Sequence, residues 1–174
     1  MNRRSAAVLA GLALAAGLTG CGGSSKAQGV LTAPSAGLTA PPAPPPVPVA
    51  LQHKPSVTVP KQPPPSHLVI KDLIKGGGAV ATKTSTVTVQ YVGVLYKTGK
   101  QFDASWNDGT GQPVSFSLAS GVIKGWTEGI PGMRVGGRRE LIIPPSLAYG
   151  KKGSGSKIPP NSTLVFVIDL HAVS

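Results

Sequence analysis

The chain has 174 residues, with 17 Lys+Arg against 6 Asp+Glu for a net charge of +11, and a single cysteine. That length accommodates one folded domain of ~100–200 residues plus extensions. The lone cysteine excludes an internal disulfide and any multi-cysteine zinc site. His53, His67 and His171 have no metal-ligand spacing, so neither a metal nor an organic cofactor is expected. Gly and Pro make up about a quarter of the chain, at the edge of low-complexity composition. The first question is therefore which part folds.

The N-terminus carries Arg3 and Arg4, then an uncharged run from Ala6 to Leu18. As a helix this run is ~20 Å long. It is shorter than the ~20 residues a permanent span needs, and fits the apolar region of a signal peptide. It ends in Leu18-Thr-Gly-Cys21. These residues resemble the bacterial lipobox. The resemblance implies that residues 1–20 are removed and that Cys21 is lipidated. The protein is then exported and held by acyl chains at the outer face of the cytoplasmic membrane or in the cell envelope, each buried CH₂ contributing ~0.8 kcal/mol. An ordinary secretory signal with an incidental cysteine is the alternative.

Residues 21–65 form the next segment. Twelve prolines lie within residues 22–65. Each ring sets φ and removes an N–H, so Ala40-Pro-Pro-Ala-Pro-Pro-Pro-Val-Pro48 favours polyproline II. A disordered linker is expected, reaching at most ~140 Å at ~3.1 Å per residue. No feature of it selects a docking partner.

From Ser66 to Ser174 the texture is that of a folded domain. Leu68–Ile74 is a strand stopped by Gly76-Gly-Gly78. In Thr86–Val92, period-2 alternation places Val87, Val89 and Tyr91 on one face and Thr86, Thr88 and Gln90 on the other. Lys97-Thr-Gly-Lys100 is a hairpin turn, and Val114–Leu118 a short strand. Ser120 is placed as N-cap of one helix over Val122–Ile130, stopped by Pro131-Gly132. Arg138–Ile143 is a strand ended by Pro144-Pro145. Thr163–Leu170 directs Leu164, Phe166, Ile168 and Leu170 inward. Five antiparallel strands and one short helix predict an α+β roll.

These residues carry 12 Lys/Arg and 6 Asp/Glu. No recognition helix, aromatic–basic interleaving or zinc motif accompanies the charge, so nucleic acid is not an expected partner. The cations form solvated faces beside an anionic envelope.

Seven segments of this domain resemble the FKBP-type peptidyl-prolyl isomerases, in the family's order. They are Val89-Gln-Tyr-Val-Gly93, Gly99-Lys-Gln-Phe-Asp-Ala-Ser105, Phe116-Ser-Leu118, Val122-Ile-Lys-Gly-Trp-Thr-Glu-Gly129, Met133-Arg-Val-Gly-Gly137, Ile143-Pro-Pro-Ser-Leu-Ala-Tyr-Gly150 and Ile158-Pro-Pro-Asn-Ser-Thr-Leu-Val-Phe166. The resemblance implies a half-open sheet wrapped around the helix, and rotation of X-Pro bonds as the activity. By resemblance, Trp126 is the floor under the prolyl ring. Tyr91, Phe102, Val122, Ile123 and Phe166 are walls, and Ile158 caps the pocket. The Ile123 N–H and Tyr149 hydroxyl bind substrate carbonyls. Asp103 lies at the rim near the twisting carbonyl and accepts a hydrogen bond from Tyr91.

Val114 stands where family members commonly carry an aromatic wall residue, and Ser154 and Lys157 occupy the flap. That flap, residues 150–158, is too short for an inserted chaperone domain, and a monomer is expected. The expected partners are proline-containing segments of exported proteins, FK506-class macrolides, and the membrane through the lipid. A catalytically weak FKBP-like chaperone or peptide-binding surface lipoprotein is the competing function.

Overall fold

The structure is a computed structural model that describes residues 48–108 and 111–174. The expected signal segment, Cys21 and residues 21–47 lie outside the described residues. Among the described residues six strands form one antiparallel sheet: β1 (Val69–Ile74), β2 (Thr86–Leu95), β3 (Gln101–Ala104), β4 (Val114–Ser117), β5 (Arg138–Ile143) and β6 (Leu164–Val173). Among the described residues one α-helix, α1 (Lys124–Gly129), packs against it. The strand order is β1-β5-β6-β2-β3, with β4 also on β2. The far edge of β2 is thus shared: Thr86–Val89 pair with β4 and Val92–Val94 with β3.

The α+β class matches expectation, but the sheet has one strand more than the five expected. The additional strand, β3, completes the hairpin whose turn the sequence marked. That turn is closed by Leu95 N–H to the Lys100 carbonyl at 2.9 Å and Gly99 N–H to the Leu95 carbonyl at 2.8 Å. Helix α1 also begins later than expected. Its N-cap is Ile123, with no side-chain cap, so Ser120 does not cap it and Val122 precedes it.

Alternation along the long central strands sorts the core. Val87, Val89, Leu164, Phe166, Ile168 and Leu170 join Trp126 and Ile130 on the helix side. Helix α1 lies very close to β5, because a Cβ at Gly125 would sit 2.4 Å from the Ile143 side chain and one at Gly129 2.8 Å from that of Leu141. Arg139 fixes the helix end: its guanidinium donates to the Gly129 carbonyl at 2.8 Å and pairs with Asp72 at 2.6 Å. The helix position, and with it Trp126, is set by these two small residues and one arginine.

The opposite face is also covered. Val92, Val94, Tyr96, Ala104, Ile142 and Val165 form a second apolar cluster, with Val57 and Val59 packed on it. Residues 48–65, expected to belong to a disordered linker, instead run across the sheet as a strap. Val49–Gln52 make a 3-10 turn whose Leu51 is fully buried. The strap's carbonyls accept hydrogen bonds from side chains: Arg138 donates to Ala50 at 2.9 Å and His53 at 3.2 Å, and the Tyr96 hydroxyl donates to Gln62 at 3.2 Å. Proline denies the strap ladder hydrogen bonds, and sheet side chains replace them. The folded unit therefore begins well before Ser66. Among the described residues no helix is long and apolar enough to cross a membrane.

Candidate active site

A cavity of about 290 Å³ opens between α1 and the sheet, lined by Tyr91, Phe102, Asp103, Phe116, Gly121, Val122, Ile123, Trp126, Tyr149 and Phe166. Its members come from β2, β3, β4, β6, the turn before α1, the first turn of α1, and the loop after β5. Trp126 is the hub. The rings of Tyr91, Phe116 and Phe166 all meet it edge-to-face, at centroid distances of 5.3, 5.3 and 5.4 Å. Such pairs add ~0.5–1.5 kcal/mol each beyond area burial, so the rings hold one another in place without a ligand. Gly93 makes room for it: a Cβ there would lie 2.6 Å from the Phe102 ring and 2.8 Å from the Phe166 ring. Those two rings stack edge-to-face across it at 5.5 Å.

The polar groups are few. The Tyr91 hydroxyl donates to Asp103 Oδ2 at 2.7 Å, and the Ala104 N–H donates to Asp103 Oδ1 at 2.9 Å. The carboxylate itself is exposed, which avoids the cost of burying a charge. Burial pushes the Tyr91 hydroxyl well above its ordinary value, and the bond to Asp103 adds to this. Burial also raises Tyr149, with the Asp103 charge acting in the same direction. Both phenols therefore remain protonated donors across the physiological range. The Ile123 N–H and the Tyr149 hydroxyl have no hydrogen-bond partner among the described residues. The buried Trp126 Nε1–H has none either.

The site is thus an aromatic cup with unpartnered donors and one carboxylate at its rim. Residues 77–171 match the family model of FKBP-type peptidyl-prolyl cis-trans isomerases. The chain belongs to this family. It is an FKBP-type peptidyl-prolyl cis-trans isomerase.

The chain is 57% identical over 122 residues to an FK506-binding protein of Streptomyces anulatus, covering 69% of this chain and 97% of that one. It is 53% identical to a probable FK506-binding protein of Corynebacterium glutamicum, over 67% of this chain and 96% of that one. A crystal structure of a peptidyl-prolyl cis-trans isomerase from Pseudomonas syringae is similar with a TM-score of 0.55 and 38% identity, over 72% of this chain and 86% of that one.

Against this FKBP framework, the expected residues Tyr91, Phe102, Asp103, Val122, Ile123, Trp126, Tyr149 and Phe166 all line one cavity. Ile158 does not line it. It is buried in the helix-side core and lines an adjoining cavity of about 370 Å³ that shares Phe102, Asp103 and Tyr149. Phe116 and Gly121 line the cup and were not assigned to it from sequence. The pattern of β4 held the signal: Val114 and Phe116 share a face, and Phe116 pairs with Val87. Val114 is exposed at the strand end, and Phe116 supplies the wall.

Proposed function

We infer that this isomerase rotates X-Pro bonds in exported or surface proteins and thereby assists their folding, tethered by acyl chains on Cys21. Its reading as a rotamase site rests on one observation, the aromatic box around Trp126 with unpartnered donors at Ile123 and Tyr149.

The barrier to rotation is ~18–20 kcal/mol and comes from amide resonance. Twisting the bond breaks that resonance and makes the imide less polar. An apolar aromatic lining therefore disfavours the planar state relative to the twisted one. The prolyl ring sits on Trp126, between Tyr91, Phe102, Phe116 and Phe166. The Ile123 N–H and Tyr149 hydroxyl hold flanking carbonyls, so that binding energy is directed into orientation. Asp103, anchored by Tyr91, stands at the rim beside the twisting carbonyl. No step needs a nucleophile or a proton transfer.

The test is a proline-limited isomerisation assay on the full chain, with and without an FK506-class macrolide. Turnover abolished by the macrolide supports this function. Peptide binding without turnover would leave the weak-chaperone alternative instead. Mass spectrometry of the mature protein should find a lipid-modified cysteine at its N-terminus, and an unmodified Cys21 would overturn the tether.

A further inference from the structure

Beside the cup, the second cavity is lined by Phe102, Asp103, Tyr149, Ser154, Gly155, Ser156, Lys157 and Ile158. The two cavities share Phe102, Asp103 and Tyr149. A peptide whose prolyl ring fills the cup, with the twisting carbonyl at Asp103, extends its preceding residue into this second space. The flap that forms it has a fixed tip. Ser154 and Ile158 exchange reciprocal backbone hydrogen bonds of 2.9 and 3.1 Å, and Ile158 is anchored in the core. Lys157 adjoins that anchor.

The polar groups here are unbalanced. Lys157 forms no ion pair among the described residues, and the hydroxyls of Ser154 and Ser156 have no hydrogen-bond partner among them. No carboxylate occurs between Glu140 and Asp169 in the sequence, and Asp169 is buried in its pair with Arg138. Asp103, the one acid lining the space, already has both oxygens engaged, by the Tyr91 hydroxyl and the Ala104 N–H. One unpaired ammonium and two unpaired hydroxyls therefore line this space, opposite the Asp103 carboxylate, whose charge its two neutral donors do not cancel.

We propose that the Ser154–Ser156–Lys157 flap is a specificity subsite for an acidic side chain, Asp or Glu, immediately before the isomerised proline. This rests on the isomerase reading of the cup. Lys157 acts on substrate capture: it pairs with the incoming carboxylate at an exposed position, so its contribution is modest and screened by salt.

The experiment measures kcat and KM of the full chain on peptides that differ only before proline: Glu, Gln, Leu and Lys. Glu-Pro should show a KM about two- to fivefold below Gln-Pro with kcat little changed, as an exposed ion pair allows. Raising NaCl to about 0.5 M should erase the difference. Lys157→Ala should abolish it while leaving Leu-Pro turnover intact, and Lys157→Glu should reverse it in favour of Lys-Pro. Equal values for Glu-Pro and Gln-Pro in the unaltered protein would overturn the subsite. So would a Lys151→Ala/Lys152→Ala variant that loses the preference as fully as Lys157→Ala. Absence of turnover on every peptide, Leu-Pro included, would instead sink the isomerase reading on which the proposal stands.

Discussion

Leu51→Ala tests whether the strap is part of the folded unit. Leu51 is fully buried in a segment that composition alone assigns to a linker. Truncating a buried leucine costs about 2–5 kcal/mol through lost transfer energy and the cavity left behind. The strap is a single peripheral layer, so it can settle into the gap or lift away, and the loss belongs near the lower end. About 2–3 kcal/mol corresponds to a fall in Tm of roughly 8–12 °C for a unit of this size. The isomerase rate should stay within twofold, because Val57 and Val59 lie on the sheet face opposite Trp126. Thermal and urea unfolding of the full chain and its variant, with rates measured on the same samples, decide the matter. An unchanged Tm would show that the strap contributes nothing to the core. An activity loss as large as the stability loss would show that it reaches the site.

Asp103→Ala and Tyr149→Phe should each lower kcat/KM about five- to thirtyfold, with little change in Tm, since both groups are exposed at the rim. Full activity in both would reject the pocket assignment. The rate should be nearly flat between about pH 6 and 8, because Tyr91 and Tyr149 are both held above their ordinary values and remain donors; a bell-shaped profile would contradict this. Burial holds the His171 imidazole below its ordinary value, with Asp169 opposing. Its folded pKa is depressed, so the unfolded chain binds the proton first and stability should fall as pH drops below about 6.5. His171→Gln should flatten the Tm-versus-pH curve between about pH 7.5 and 5.5, and an unaltered slope would refute the assignment. Arg138→Ala strands the Asp169 carboxylate, whose two oxygens now face the guanidinium at 2.5 and 2.7 Å. It should cost about 3–5 kcal/mol and loosen the strap; a loss below about 1 kcal/mol in urea unfolding would refute that.

What could be read from the chain was what local chemistry controls. Alternation in Thr86–Val92 and Leu164–Leu170 marks strands because side chains leave a strand on alternating faces. Tyr91, Asp103, Trp126 and Tyr149 were legible because their motifs occur in family order, although no local rule says that they meet. Other features depended on neighbours distant in sequence. Ser120 is a plausible cap by residue type, yet α1 starts at Lys124, where Gly125 and Gly129 let it settle on Ile143 and Leu141. β3 is four residues long with two apolar positions, Phe102 and Ala104, and it is its pairing with β2 that makes it a strand. Phe116 is a wall only because β4 pairs Phe116 with Val87. The strap shows the division most clearly. Proline leaves residues 48–65 a single 3-10 turn and no strand, but order there comes from Arg138 and Tyr96, which satisfy its carbonyls, and from an apolar sheet face that needs a cover. Those partners are supplied by the sheet, and no window of the sequence contains both sides of the contact.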